Sequence, residues 1–180
     1  MNYEKITISG LICTGKSSLF LNLHQQLKWP TFSASGFFRE YARTHNVSLE
    51  QAEEQSDKIT KKVDYGMQIM LAKPENLIVE GWMAGVMADN RKEILRILLQ
   101  CKDETRYERF AKREKTSIKE AQQKILAREK NLAKALKRIH NCEDSVDPAV
   151  YNCIVDTTNL TESQLLQVVL DKLGFDGNSH

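Results

Sequence analysis

No stretch of this sequence approaches the ~20 consecutive apolar residues that a membrane-spanning helix requires. The N-terminus MNYEKITISG also lacks a basic segment running into an apolar one. Both absences argue against a bilayer and against export, so the expectation is a cytoplasmic protein with no membrane partner. Paired cysteines are missing as well: Cys13, Cys101, Cys142 and Cys153 are scattered, with no CxxC pair and no histidine at zinc-ligand spacing. They read as reduced, mostly buried thiols. An excess of charge is lacking too, since 26 Lys and Arg against 24 Asp and Glu leave +2, which gives no general argument for a nucleic-acid partner. Repeats, low-complexity tracts and an interdomain linker are absent. With 180 residues, 41% of them hydrophobic, the chain has material for one well-buried core and too little for two ordinary domains, so residues 1–180 read as a single domain.

What is present is an alternation of strand and helix patterns. KITIS, rich in β-branched residues, runs into a glycine, a loop and the apolar-periodic SSLFLNLHQQL: strand, turn, helix. TFSAS reads as a short second strand ending at Gly36. FFREYARTHN and SLEQAEEQSDKITKKVDYGMQIMLA then show helical spacing, read as three helices ending before Pro74. NLIVEG and EILRILLQC have the length and composition of buried strands. Asp103 to about His140 is helical with a break at Lys115–Ser117, NCEDSVDP is a loop, YNCIVDT a fifth strand, and TESQLLQVVLDKL opens a last helix with a capping-type start at Thr161. The tail after Gly174 reads as disordered. Alternating strands and helices imply an α/β fold, with a five-stranded parallel sheet covered by helices on both faces.

The segment GLICTGKS carries the chemistry. A glycine-rich turn between a strand and a helix exposes backbone N–H groups and the positive helix end to phosphate oxygens. Gly10, Leu11, Ile12, Cys13, Thr14, Gly15, Lys16, Ser17 and Ser18 are therefore the expected ATP-binding residues. Lys16 would bridge the terminal phosphates and Ser17 would place a hydroxyl on Mg²⁺. Such a site also needs an acid at the end of a neighbouring strand to orient a magnesium-bound water. Glu80, closing LIVE, is the candidate, against the alternative of a solvated strand-end acid. No NKxD-type guanine-reading segment is present, and motors and helicases are normally longer. A small phosphotransferase with a helical acceptor-binding insert and an arginine-rich lid suits 180 residues.

Residues 102–138 hold 13 of the 26 positive side chains against six acids. Arg106, Arg109 and Arg113 share one side of a helix, and Arg128 follows on the next. Alone these read as a solvated basic face. Beside a phosphate loop they read as lid cations around a transferring phosphoryl group. Arg39, three residues after Gly36, lies near the carboxyl edge where open parallel sheets bind ligands and is placed to clamp an acceptor phosphate. Asp57 and Asp64, seven apart on a helical pattern, either contact an acceptor base or ribose or are surface acids. His24, His45 and His140 show no catalytic pairing and read as ordinary helix or loop residues.

Taken in order, ITISGLICTGKSSL, SASGFFRE, the spaced Asp57 and Asp64, VEGWMAG, ETRYERFAKRE and YNCIVDTTNLT resemble the short archaeal-type cytidylate kinases, over about Ile6 to Leu160. That resemblance implies a three-layer P-loop fold with an acceptor region over about 33–72 and a lid over about 103–140. It also implies Mg²⁺-dependent transfer from ATP to CMP or dCMP, with Lys16, Arg109, Arg113 and Arg128 as catalytic residues. Ser35, Gly36, Arg39, Asp57, Asp64, Gly81 and Trp82 then fall on the acceptor side, with a nucleotide and a small-molecule acceptor as partners and any protein partner left open. Two departures stand out. The family's Gly-Arg after the strand-end acid is Gly81-Trp82 here, and its Arg-Tyr pair near the lid's end is replaced within AKALKRIHNCED, where Lys134, Lys137 or Arg138 are the possible substitutes. Trp82 either stacks a planar acceptor, fills the cleft of an inactive nucleotide-binding regulator, or is a structural aromatic whose arginine is supplied by Arg91 or Arg96. The reading chosen is a divergent nucleoside monophosphate kinase. The alternatives are a kinase for a different small molecule and a catalytically weak nucleotide-binding regulatory protein.

Overall fold

A computed structural model describes residues 3–48 and 57–175. Strand β1 (Lys5–Gly10) is buried along its whole length, as the run of β-branched residues requires of a central strand. It leads through the phosphate loop into helix α1 (Lys16–Leu27). Next come β2 (Thr31–Ser33), α2 (Ala34–His45), α3 (Asp57–Ala72), β3 (Leu77–Glu80), the one-turn helix α4 (Ala84–Met87) and β4 (Ile94–Gln100). They are followed by α5 (Asp103–Glu114), α6 (Ile118–His140), a 3₁₀ turn at Pro148–Val150, β5 (Cys153–Asp156) and α7 (Glu162–Leu173). All strand pairs are parallel, in the order β2-β3-β1-β4-β5. The five-stranded parallel sheet is as expected from the alternation of patterns.

Boundaries differ where one side chain outweighs a propensity. TFSAS stops being a strand at Ser33 because that residue's hydroxyl accepts the Gly36 N–H at 2.9 Å and caps α2, so Ser35 and Gly36 are helical. The break at Lys115–Ser117 is observed: Lys115 ends α5 with φ 52°, and Ser117 opens α6. Of the helix expected over residues 48–72, the part from Asp57 is seen. Residues 49–56, including any third helix there, and the tail from residue 176 lie outside the described residues. No helix among those described is long and apolar enough to cross a membrane.

Apolar side chains gather on both faces of the sheet and under the lid. Ile6, Ile8, Leu19, Leu23, Ile97, Leu165 and Val169 pack α1 and α7 on one face. Val63, Met67, Leu71, Val79, Met83 and Leu136 pack α3 and α4 on the other. A third cluster, Ile12, Tyr107, Phe110, Ala121 and Ile125, joins the phosphate loop to α5 and α6. Register aligns Ile8 of β1 and Ser33 of β2 with Glu80 of β3. The turn after β1, the start of α2 and the strand-end acid thus emerge together at the carboxyl edge of the sheet, where parallel folds bind ligands.

The N-terminus of α6 is secured by a reciprocal capping box: Ser117 Oγ accepts the Glu120 N–H at 3.2 Å, and Glu120 Oε2 accepts the Ser117 N–H at 3.1 Å. Hydrogen bonds from the Thr116 hydroxyl, then from the Ser117 N–H and hydroxyl, hold the Glu120 carboxyl down at about 2 against an ordinary 4.5. Because the folded value lies below the unfolded one, this stabilisation is present above the unfolded value and fades as pH falls through the folded one. Glu120→Ala should therefore lower Tm at neutral pH, with the gap to the unaltered protein narrowing between about pH 5 and about pH 3. A gap that stays constant over that range in thermal melts would refute the assignment.

Candidate active site

Beyond β1 the backbone turns at Gly10 (φ 147°), Cys13 (φ 62°) and Gly15 (φ 99°) before α1 begins. A Cβ at Gly10 would collide with the Leu99 carbonyl and lie 2.8 Å from Thr14 Oγ1, so this approach of loop to β4 demands glycine. The loop's carbonyls are engaged one after another. Lys16 Nζ donates to Gly10 O at 2.8 Å and to Leu11 O at 2.7 Å. Arg106 Nη1 donates to Ile12 O at 3.0 Å, Arg109 Nη1 reaches Cys13 O at 3.4 Å, and Thr157 Oγ1 donates to Thr14 O at 2.8 Å. In a trans peptide the C=O of one residue and the N–H of the next point opposite ways. Holding the carbonyls of Ile12, Cys13 and Thr14 from outside therefore turns the N–H groups of Cys13, Thr14 and Gly15 the other way, the arrangement from which consecutive amides surround an anion.

The loop opens onto a cavity of about 1650 Å³. Apart from the lid arginine Arg106, every expected site residue lines it except Gly10, Leu11 and Gly36. Those three serve the frame: two carbonyls for Lys16 and the capped N–H of α2. Lys16 is buried, and burial pushes its ammonium below the ordinary lysine range while the charge of nearby Glu80 opposes the shift. Glu80 is 1% exposed, and its Oε2 accepts from Ser33 Oγ at 2.6 Å and Ser35 Oγ at 2.7 Å. Sequence reasoning placed Ser35 on the acceptor side; the structure also makes it a hydroxyl support for the strand-end acid. Ser17 and Glu80 offer oxygen atoms only, the donor class of a hard cation. Among the described residues no group of three or more His, Cys, Asp or Glu is placed to hold a metal ion. A magnesium ion would draw its remaining ligands from waters and phosphate oxygens.

The lid arginines divide. Arg106 is 1% exposed and pairs with Asp103 and Glu129 at 2.6 Å each, so it faces the loop backbone rather than the cavity. Arg109 lines the cavity, but its guanidinium also donates to Thr157 O at 2.7 Å and contacts Thr157 Oγ1 and Cys101 Sγ. Arg113 lies over the Phe110 ring at 5.1 Å and pairs with Glu114 at the exposed rim. Arg128 lines the cavity from α6. Of the possible lid substitutes, Lys134 and Arg138 line the cavity, whereas Lys137 pairs with Glu143 at the surface.

Arg39 is exposed at the cavity wall. Both acceptor acids are met by the end of α6: Arg138 bonds Asp57 at 2.6 Å, and His140 Nε2 lies 2.8 Å from Asp64 Oδ2. Asp64 is a buried acid, not a surface one. Burial raises its carboxyl above the ordinary range, while the hydrogen bond and charge of His140 pull it down. His140, read from sequence as unpaired, has this carboxylate partner with both side chains at most 7% exposed. No local signal revealed it, because the two residues are 76 positions apart. Trp82 lines the cavity with Lys16 Nζ 6.0 Å from its ring centroid, and it packs against both the α3–α4 cluster and the lid cluster. Neither Arg91 nor Arg96 lines the cavity, and Arg96 is spent on the Val150 and Arg91 carbonyls at 2.8 and 2.9 Å.

A parallel sheet whose central strand feeds a glycine turn, a buried lysine and an adjacent strand-end acid defines a P-loop protein of the small-kinase type. Residues 6–137 match the family model described as an AAA domain. The chain is 32% identical over 91% of its length to the cytidylate kinase of Pyrococcus abyssi, covering 90% of that protein. It is likewise 32% identical over 91% of its length to that of Methanosphaera stadtmanae, covering 94% of it. It belongs to the cytidylate kinase family. Its fold is shared with the shikimate kinase of Acinetobacter baumannii, with TM-score 0.60 at 13% identity over 95% of this chain and 93% of that one.

Thr157→Val removes the donor that holds the buried Thr14 carbonyl while keeping the side-chain shape. Stranding that acceptor should cost about 1–3 kcal/mol in chemical denaturation, and unchanged stability would show that the carbonyl has another partner.

Proposed function

We propose that this chain is a nucleoside monophosphate kinase that transfers the γ-phosphate of Mg-ATP to CMP or dCMP. The observation carrying this reading is that one cavity joins the phosphate loop, Lys16 and Glu80 to a wall bearing Arg39, Asp57 and Asp64. Donor and acceptor thus share a single space, as direct in-line transfer requires. In this reading the loop amides of Cys13 to Ser18 and Lys16 bind the ATP phosphates. Ser17 and, through water, Glu80 would hold Mg²⁺, which would supply positive charge beside the phosphates. Arg39 clamps the acceptor phosphate, while Asp57, Asp64 and the Gly81–Trp82 edge bound the acceptor. Arg128 and Arg113 supply cations from the lid. Arg109 fixes the loop and stands close enough to the donor to contribute charge. Water kept out by α5 and α6 suppresses idle ATP hydrolysis.

A second reading rests on Trp82. An indole contributes stacking area and cannot replace an arginine as a bidentate phosphate clamp. Its position beside Lys16 favours a planar acceptor with fewer phosphate contacts than the family's usual substrate.

ATP consumption by the purified protein, measured with Mg²⁺ across the common ribo- and deoxyribonucleoside monophosphates, should respond to CMP or dCMP. ATP binding without stimulation by any of them transfers the assignment to another acceptor. Lys16→Ala should reduce turnover at least about a hundredfold, in keeping with loss of a main electrostatic contact to the transferring group; unchanged turnover would remove the loop from the reaction. Trp82→Arg should raise cytidylate phosphorylation if the indole merely displaces an arginine, and lower the native activity if it reads a different acceptor.

A further inference from the structure

The Ile12 peptide is gripped from both sides by an ion pair that belongs to the lid. Glu129 Oε1, from the middle of α6, accepts the Ile12 N–H at 3.0 Å. The same oxygen takes Arg106 Nη1 at 2.6 Å, and that nitrogen also donates to the Ile12 carbonyl at 3.0 Å. Arg106 comes from α5, 94 residues away from Ile12, and Glu129 lies 117 residues away. Burial works against the Arg106 charge, but hydrogen bonds and charges from Glu129 and Asp103 hold its guanidinium above its ordinary value. The residue after Ile12 is Cys13, a non-glycine in left-handed backbone at φ 62°, a conformation that persists only where its surroundings determine it.

We propose that Arg106 and Glu129 are positioning residues for the phosphate loop. Their ion pair holds the Ile12 peptide and so sets the left-handed turn at Cys13 from which the phosphate-facing amides follow. Neither side chain needs to touch the substrate. Arg106 is 1% exposed and does not line the cavity, and Glu129 pairs with it. The pair also ties the lid to the donor site. Arg128 adjoins Glu129 on α6, so the same anchor fixes where the Arg128 side chain enters the cavity. A loop freed from this clamp still folds, because Lys16, Arg109 and Thr157 retain their carbonyls, but its amides at Cys13 and Thr14 lose their preset direction.

The proposal rests on ATP being the donor, and its test reads ATP binding without any acceptor. A buried ion pair replaced by apolar side chains of similar volume is often neutral or stabilising. The double variant Arg106→Met/Glu129→Leu therefore keeps the core filled while removing the clamp, and Glu129→Ala removes one half of it. Mg-ATP affinity is measured by isothermal titration calorimetry on the full chain, with Tm from thermal melts. The expected result is a double variant that still melts cooperatively, with Tm lowered by the two Ile12 backbone groups left without partners, together with at least tenfold weaker Mg-ATP binding. In steady state, KM for ATP should rise by a similar factor while KM for the responsive acceptor stays within twofold. Unaltered Mg-ATP affinity in a folded double variant overturns the positioning role alone. Absence of Mg-ATP binding by the unaltered chain overturns the functional reading and this inference with it.

Discussion

A peptide amide binds an anion only if its own carbonyl looks elsewhere, and each carbonyl turned away from solvent must find a donor. Several of this molecule's long-range polar contacts serve that demand. Arg106 and Arg109 from α5 and Thr157 from the turn after β5 end on successive carbonyls of one short loop. Glycine is needed where the loop presses against Leu99, and the cluster of Ile12 with Tyr107 and Phe110 seals the back of the turn from water. The fold's far-flung elements are thus a scaffold for a handful of peptide units.

Burial then determines what the charged side chains can do. Lys16, Glu80, Asp64 and Arg106 are all largely withdrawn from solvent, and an ion withdrawn from water needs partners of opposite charge or of hydrogen-bonding type. Lys16 finds loop carbonyls, Glu80 two serine hydroxyls, Asp64 a histidine, and Arg106 two carboxylates. Lys16, Glu80 and Asp64 therefore arrive at the cavity in a fixed pose, and Arg106 is fixed against the loop backbone, which lowers the reorganisation left for the moment of reaction.

What was legible in the sequence was local. The phosphate loop is a short run between a strand and a helix, and its glycines, lysine and serine are recognised from neighbours in the chain, although the contacts that hold its carbonyls are not. The five strand segments, the helix break before Ser117 and the cap at Thr161 also follow from residues within a few positions of one another. The strand read through Ser35 stopped early because the Ser33 hydroxyl had a second use as a helix cap. Arg106 looked like one of a row of equivalent lid cations. Helical spacing placed it on the same side as Arg109 and Arg113, but not the carboxylates that neutralise it, one of which lies a whole helix away. His140 was opaque for the same reason. Pairings across 76 or 117 positions are decided by how helices pack, and no periodicity encodes them.

Helix α6 is fastened near its middle to the donor loop through Glu129, and at its last turn to the acceptor helix through Arg138 and His140. Eleven residues separate Glu129 from His140, roughly 16 Å of continuous helix at 1.5 Å per residue. A rod pinned at two points has few motions left: it cannot pivot about one pin without loading the other. The cavity wall that carries Asp57 and Asp64 is therefore joined to the phosphate loop by one continuous helix.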